Sequence, residues 1–368
     1  MDSASRYLSL GKPNRANHLW RYTPWKKVHP TGDISEIPPL GQPKLSLRMI
    51  DGSELPSGIK LEQGVKDDLD FSMDNALTNA FLHASAAKSS EWTLVVDKRF
   101  SSGKPVILEI RVGDLPSVAH ISLDIGEISE FELITKVTGR SEWFGLLRTG
   151  QIRNGAVVND VVLGLQEKGT LLRSDTIAIG RDAQVRAGTV SSGTERTKSD
   201  LRYIMGNQGG NIRVLGSILS ADSMHLDHHV EIHHEAPETF SRLSWHSACG
   251  GSSRTIGTGM LSIREGSRGA DAAQIFHNLL LSESAEADSI PELEVMENDV
   301  VGCGHGTANG PIDEEQMFYL KTRGFDEYDA KRSLIAAFLN STLSEMGGTE
   351  LHEWLVSELS PKLEALYT

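Results

Sequence analysis

The chain has 368 residues, with 36 Lys and Arg against 50 Asp and Glu, a formal net charge of −14. An acidic balance of that size argues against a nucleic-acid binder, which needs a basic surface for the phosphate backbone. Two cysteines, Cys249 and Cys303, are too few for a disulfide framework. The opening residues lack the apolar core of a signal peptide, and no apolar run reaches the roughly eighteen residues of a membrane helix, so a cytoplasmic chain without membrane insertion is expected.

Residues 1–90 read as a mixed, partly helical region. It opens with prolines, turn formers and the aromatic-basic run Leu19-Trp20-Arg21-Tyr22-Thr23-Pro24-Trp25. Helical period then appears from Met73 to Ala84, with Phe71, Ala76, Ala80 and Phe81 near one face and Asp70 as a cap. From 91 to 310 the pattern is strand after strand: Val106–Val112, Val118–Leu123, Phe131–Val137, Val157–Leu163, Thr176–Ile179, Ile212–Leu219 and Leu261–Ile263. Gly, Asp, Asn and Ser punctuate the gaps at roughly 8–12-residue spacing, which signals an all-β fold. The zone is about twice the ~100 residues of an ordinary sandwich and shows no linker. No hexapeptide or propeller repeat is visible. The predicted fold is therefore mainly β, a right-handed parallel β-helix with rungs of variable length, flanked by helical segments.

Residues 311–368 switch to helical period. Asp313 with Gln316 suggests a capping box and Gly324 a C-terminal cap. A second helix is predicted from Asp326 to Gly347, with an apolar stripe of Leu334, Ile335, Phe338, Leu339 and Leu343. A third carries Leu351, Leu355 and Leu359, with Pro361 expected to interrupt it. These helices offer a face to a partner, cap the end of the solenoid, or do both.

Three groups carry candidate chemistry. On a strand through His225–Glu235, Asp227, His229, Glu231, His233 and Glu235 share one face, because side chains alternate. His229, Glu231 and His233 have the donor types of a metal site, but a solvated face of histidines bonded to neighbouring rungs is the simpler reading of the run. Cys303 and His305, two apart, project to one face and can bind a soft or borderline metal or act as a Cys/His pair. Cys249 reads as a small buried residue inside a rung. Gly206-Asn207-Gln208-Gly209-Gly210 lacks the Lys-Ser/Thr ending of a phosphate loop and reads as a turn; no ATPase motif is present elsewhere.

A longer pattern runs through Gln274…Asn278-Leu279-Leu280-Leu281-Ser282, Pro291-Glu292-Leu293-Glu294-Val295 and Asp299-Val300…Cys303-Gly304-His305-Gly306-Thr307. It ends in Asp313-Glu314…Phe318-Tyr319-Leu320…Arg323-Gly324. This resembles the signature of the SufB/SufD family of iron–sulfur cluster assembly scaffolds, and Trp20-Arg21-Tyr22-Thr23 resembles the family's N-terminal motif. The resemblance implies a right-handed β-helix that pairs with a SufB-like paralogue, or with itself, and C-terminal helices that bind a SufC-type ABC ATPase. Phe318, Tyr319 and Arg323 carry the match there. It also implies a transient iron–sulfur cluster at the partner interface, with the SufD histidine falling on His305 and the motif cysteine on Cys303. His305-Gly306-Thr307, where SufB-like chains read His-Glu-Ala, and Phe276, where the SufB cysteine often stands, point to the SufD side. The expected function is a scaffold rather than an enzyme; whether a flavin takes part is not legible. Two rivals remain: a mononuclear metal-binding β-solenoid, and a β-helix polysaccharide lyase or hydrolase, for which no carboxylate pair is assignable. Removing Pro311–Thr368 is expected to abolish ATPase binding and leave the β-helix folded.

Overall fold

The structure, a computed structural model, describes residues 3–11, 13–14, 16–32, 37–65 and 75–365. Each turn of the chain lays one strand on each of two nine-stranded sheets. The first sheet runs β1 (Lys44–Met49), β4 (Val106–Val112), β6 (Glu130–Gly139), β8 (Val157–Gly164), β10 (Gln184–Ser191), β12 (Asn211–Ser220), β14 (Phe240–Cys249), β16 (Asp271–Leu280) and β18 (Gly302–Pro311). The second runs β2 (Ile59–Gln63), β3 (Ser90–Val96), β5 (Ser117–Ile125), β7 (Trp143–Ile152), β9 (Thr170–Ile179), β11 (Arg196–Met205), β13 (His225–His234), β15 (Arg254–Ile263) and β17 (Glu286–Val295). The ladders are parallel, except that β1 and β2 join β4 and β3 antiparallel. The result is a mainly β solenoid of about eight turns with helices before and after it.

Alternation drives the packing. Leu226, Val230 and Ile232 of β13 point into the solenoid and join one continuous core running from Met49 to Phe276. Bulky and small residues meet across this interior. Trp245 lies over Gly216, where any Cβ would run into the indole, and Phe276 lies over Gly257. Two predicted strands begin earlier than their apolar pattern suggests. β9 starts at Thr170 and β15 at Arg254, because inward positions in their early and middle parts carry Arg173 and Asp175, or Thr255, Gly257 and Gly259, which breaks the aliphatic alternation.

The charged inward positions form a shared ion-pair network. Arg148 contacts both Asp160 oxygens at 2.7 Å and Asp175 at 2.9 Å, while Arg173 contacts Asp175 at 2.6 and 2.9 Å and the Thr189 hydroxyl at 3.1 Å. Burial pushes the Asp175 carboxyl up, but the two guanidinium groups outweigh it and hold the carboxyl below its usual range.

Helices cover the outer faces. α1 (Ser3–Leu10), α2 (Trp25–Val28) and α3 (Ala76–Ala86) lie on the second sheet, where Tyr7, Trp20, Trp25 and Phe81 pack with Val118, Trp143 and Leu172. Trp143 donates its indole N–H to the Val28 carbonyl at 2.6 Å. The cap and face residues expected at Asp70, Phe71 and Met73 lie outside the described residues. On the first sheet, α5 (Glu327–Leu343) and α6 (Thr349–Ala365) pack Leu343, Met346, Leu351, Leu355 and Leu359 against Ile107, Ile134, Val161 and Leu215.

Three expectations for this C-terminal part need correction or refinement. α5 and α6 run along a sheet face rather than capping the solenoid end. Pro361 does not interrupt α6, which continues to Ala365: Leu359 and Leu363 on either side are buried, and that packing offsets the ~3 kcal/mol a mid-helix proline costs. Removing residues 311–368 would strip an apolar sheet of leucines worth roughly 1.5–3 kcal/mol each, so an intact β-helix is not expected to survive the deletion. The Asp313 carboxylate accepts from the backbone N–H of Glu315 and Gln316, opening α4 (Glu314–Thr322) as an N-cap, among the described residues without a return bond from the Gln316 side chain, and Gly324 follows the helix at φ +98°.

Candidate functional site

The end of the solenoid formed by β17 and β18 is open. Among the described residues, β17 and β18 are the last strands of their sheets, and each leaves one edge of backbone N–H and C=O groups without a strand partner. Cys303, His305 and Thr307 stand in register with Ala272, Gln274 and Phe276, all buried inward-facing residues. They therefore face the interior side of the stack, yet among the described residues no further rung lies over them. His305 is exposed, and Cys303 is half-buried against the core. The sequence expectation that the two share a face follows from this register.

Hydrogen bonds lace the rim. Asn278 donates to the Ser289 hydroxyl and to the Asn309 side-chain carbonyl, each at 2.7 Å, which joins β16 to both terminal strands. Gln274, directly behind His305, donates to the Glu292 carbonyl at 2.8 Å, while its own carbonyl oxygen is buried without a partner. Exposed Leu293, Val295, Met296 and Val301 surround the opening, Val301 at 74% exposure. An unpaired edge flanked by apolar side chains is a surface suited to strand-end association.

Burial pushes the Cys303 thiol up from its ordinary value, and it must lose its proton before it can bind metal. Cys249 is fully buried, bonded to the Thr255 hydroxyl at 2.9 Å and pushed up likewise, which fits its reading as an internal packing residue.

The histidine strand lies elsewhere. Asp227, His229, Glu231 and His233 do share the outer face of β13, but that face is covered rather than solvated. The segment after the first helix lies across it: the Thr23 hydroxyl donates to Asp227 at 2.5 Å and meets His225 Nε2 at 2.8 Å, and the His18 ring stands edge-on to His229. Glu231 is engaged on both oxygens, with His229 Nε2 at 2.7 Å, His233 Nε2 at 3.0 Å and Arg202 Nη1 at 2.8 Å. Burial raises its carboxyl, but those hydrogen bonds and the Arg202 charge prevail and hold it far below the usual range. Asp200, His229 and Glu231 offer ligand atoms within 4.8 Å of one another, and a cation there would have to displace Arg202. Glu235 falls outside the strand and is exposed.

α4 forms a second surface. None of its residues is buried. Phe318 and Tyr319 are 71% and 56% exposed, with the Arg323 guanidinium 5.1 Å from the Tyr319 ring. A cleft of about 480 Å³ runs beside Phe318 to Leu280 and Pro311, at the ends of β16 and β18.

Residues 111–338, more than half of the chain, match the family described as SUF system FeS cluster assembly, SufBD core domain. The chain belongs to the SufBD family. An iron–sulfur cluster assembly SufBD family protein of Mycobacterium leprae is 25% identical over 95% of this chain and 90% of its own length. The iron–sulfur cluster assembly protein SufD of Escherichia coli is 22% identical over 97% of this chain and 90% of its own. A SufBD family protein of Mycobacterium tuberculosis reaches 31%, over half of each chain. The matched core of this SufBD chain holds both Cys303 and His305 and the rim that presents them. Gln274 and Asn278 escaped sequence reasoning as supports, although both stand in the family motif at inward positions four apart. Thr23, the last residue of the N-terminal motif, has its role in the clasp to Asp227.

Proposed function

We propose that this SufBD chain is the SufD-like half of a cluster assembly scaffold, pairing through its open end with a SufB-like paralogue or a second copy. The observation that carries the reading is His305, exposed on the interior-facing side of an unpaired last strand. A partner docked on β17 and β18 would close the opening over His305 and Cys303, and a nascent iron–sulfur cluster, the cargo of the scaffold, would sit between the chains. A neutral imidazole offers iron its lone pair directly, whereas Cys303 must first lose its proton. His305, exposed at the opening where Cys303 is half-buried, is assigned the larger share of the binding. Family membership favours this reading over a polysaccharide enzyme.

The same reading assigns α4 to a SufC-type ATPase. Phe318 and Tyr319 are large, exposed and adjacent, the profile of aromatic anchors at an interface. Changing both to alanine is expected to weaken ATPase co-purification by about 2 kcal/mol or more, while stability moves within about 0.5 kcal/mol because neither is buried. Pull-down alongside thermal melting checks this. An ATPase retained at full yield by the double variant would sink the assignment.

A further inference from the structure

A third cluster lies under the N-terminal cover, away from the open end. His120 on β5 points outward beneath α3 and is fully buried. Its neighbour in the ladder, on the same face of β3, is Glu91. His83, the one residue of α3 that is not buried, leans over both, its ring 5.6 Å from that of His120 at 68°. The ligand atoms of His83, Glu91 and His120 lie within 4.8 Å of one another.

Two further observations point to a ligand. His120 Nε2 is held by the Thr149 hydroxyl at 2.8 Å, which leaves Nδ1 buried with no partner. A buried ring nitrogen left unmatched is costly, and a cation coordinated there would remove that cost. No ion pair among the described residues engages Glu91, whereas Arg202 engages Glu231. Second, the outer contacts resemble those that orient metal-binding imidazoles: Thr149 on His120, and Ser3 on His83 Nδ1 at 2.5 Å.

We infer that His83, Glu91 and His120 form a binding site for a divalent first-row transition ion, with zinc the best match to two imidazoles and one carboxylate. The ligands come from α3, β3 and β5, so the ion would pin the N-terminal helices to the solenoid. Burial, with the neighbouring His83 adding to it, pushes His120 down to about 3, which keeps its ring neutral at physiological pH. His83 and Glu91 are partly exposed and give the ion a way in.

The test uses the full chain, stripped with chelator and titrated with Zn²⁺, and with Co²⁺ as a visible-absorption probe of coordination. A Cys303→Ser/His305→Ala background removes the open-end ligands. One zinc per chain and a raised melting temperature are expected in that background. Glu91→Gln, at a partly exposed position, should fold normally in chelator and bind far more weakly. Thr149→Val should lose roughly 10–100-fold in affinity, as outer-shell changes do. No zinc uptake by the background protein, or uptake unchanged by Glu91→Gln, would overturn the site. Either result would leave the open-end reading untouched.

Discussion

Replacing Arg148 with methionine is expected to cost about 3–5 kcal/mol of stability, the usual penalty for stranding a buried charge. Its side chain is 1% exposed, and it bridges Asp160 and Asp175, which are 4% and 0% exposed. Asp175 keeps Arg173, but among the described residues Arg148 is the one ion-pair partner of Asp160. The damage should therefore concentrate on Asp160. Arg148→Met/Asp160→Asn removes the stranded charge and should recover part of the loss, giving a clear coupling energy in a double-mutant cycle. Urea unfolding of the three variants measures it. Additive losses would mean that Arg148 and Asp160 do not act as one interior unit.

His305→Ala should do the opposite, leaving stability within about 0.5 kcal/mol because the side chain is exposed while cluster assembly fails. The complex carrying the variant should retain only a small part of the iron and sulfide that the parent complex retains after reconstitution. Cys303→Ser should lose less, because Cys303 is half-buried and burial raises its thiol, which must lose its proton to bind. Two readouts keep structure and function apart: partner co-purification and the melting temperature, both of which should be unchanged in His305→Ala. Normal cluster content in the His305→Ala complex would remove the role assigned to this residue. A collapsed melting temperature would show that it supports the rim instead.

Much of the solenoid was legible because its strands obey a period of two. Val106–Val112 coincides with β4, and the predicted strands near 131, 157 and 212 lie inside β6, β8 and β12. Where inward positions carry Arg173, Asp175 or Gly257, the apolar signal fails and the strand starts looked like loops. Such positions are set by contacts between rungs, which a local window does not see. Alternation likewise put His229, Glu231 and His233 on one face, but their burial depends on Thr23 and His18, some two hundred residues earlier. The pairing of Cys303 with His305 followed from their spacing. That an inward face could be exposed required knowing that β18 ends the stack. The His83, Glu91 and His120 cluster gave no signal at all, since its members come from three separate elements.

Hydrogen exchange on the chain alone and in complex with a SufB-like partner tests the open end most directly. Free, the backbone amides of β17 and β18 that point away from the stack have no strand to protect them and should exchange fast. In the complex, amides within Glu286–Val295 and Gly302–Pro311 should become protected, while the opposite end at β1 and β2 stays unchanged. Protection confined to the N-terminal cover or to the far end, with β17 and β18 exchanging as in the free chain, would contradict the assignment of the open end as the place where partner and cluster meet.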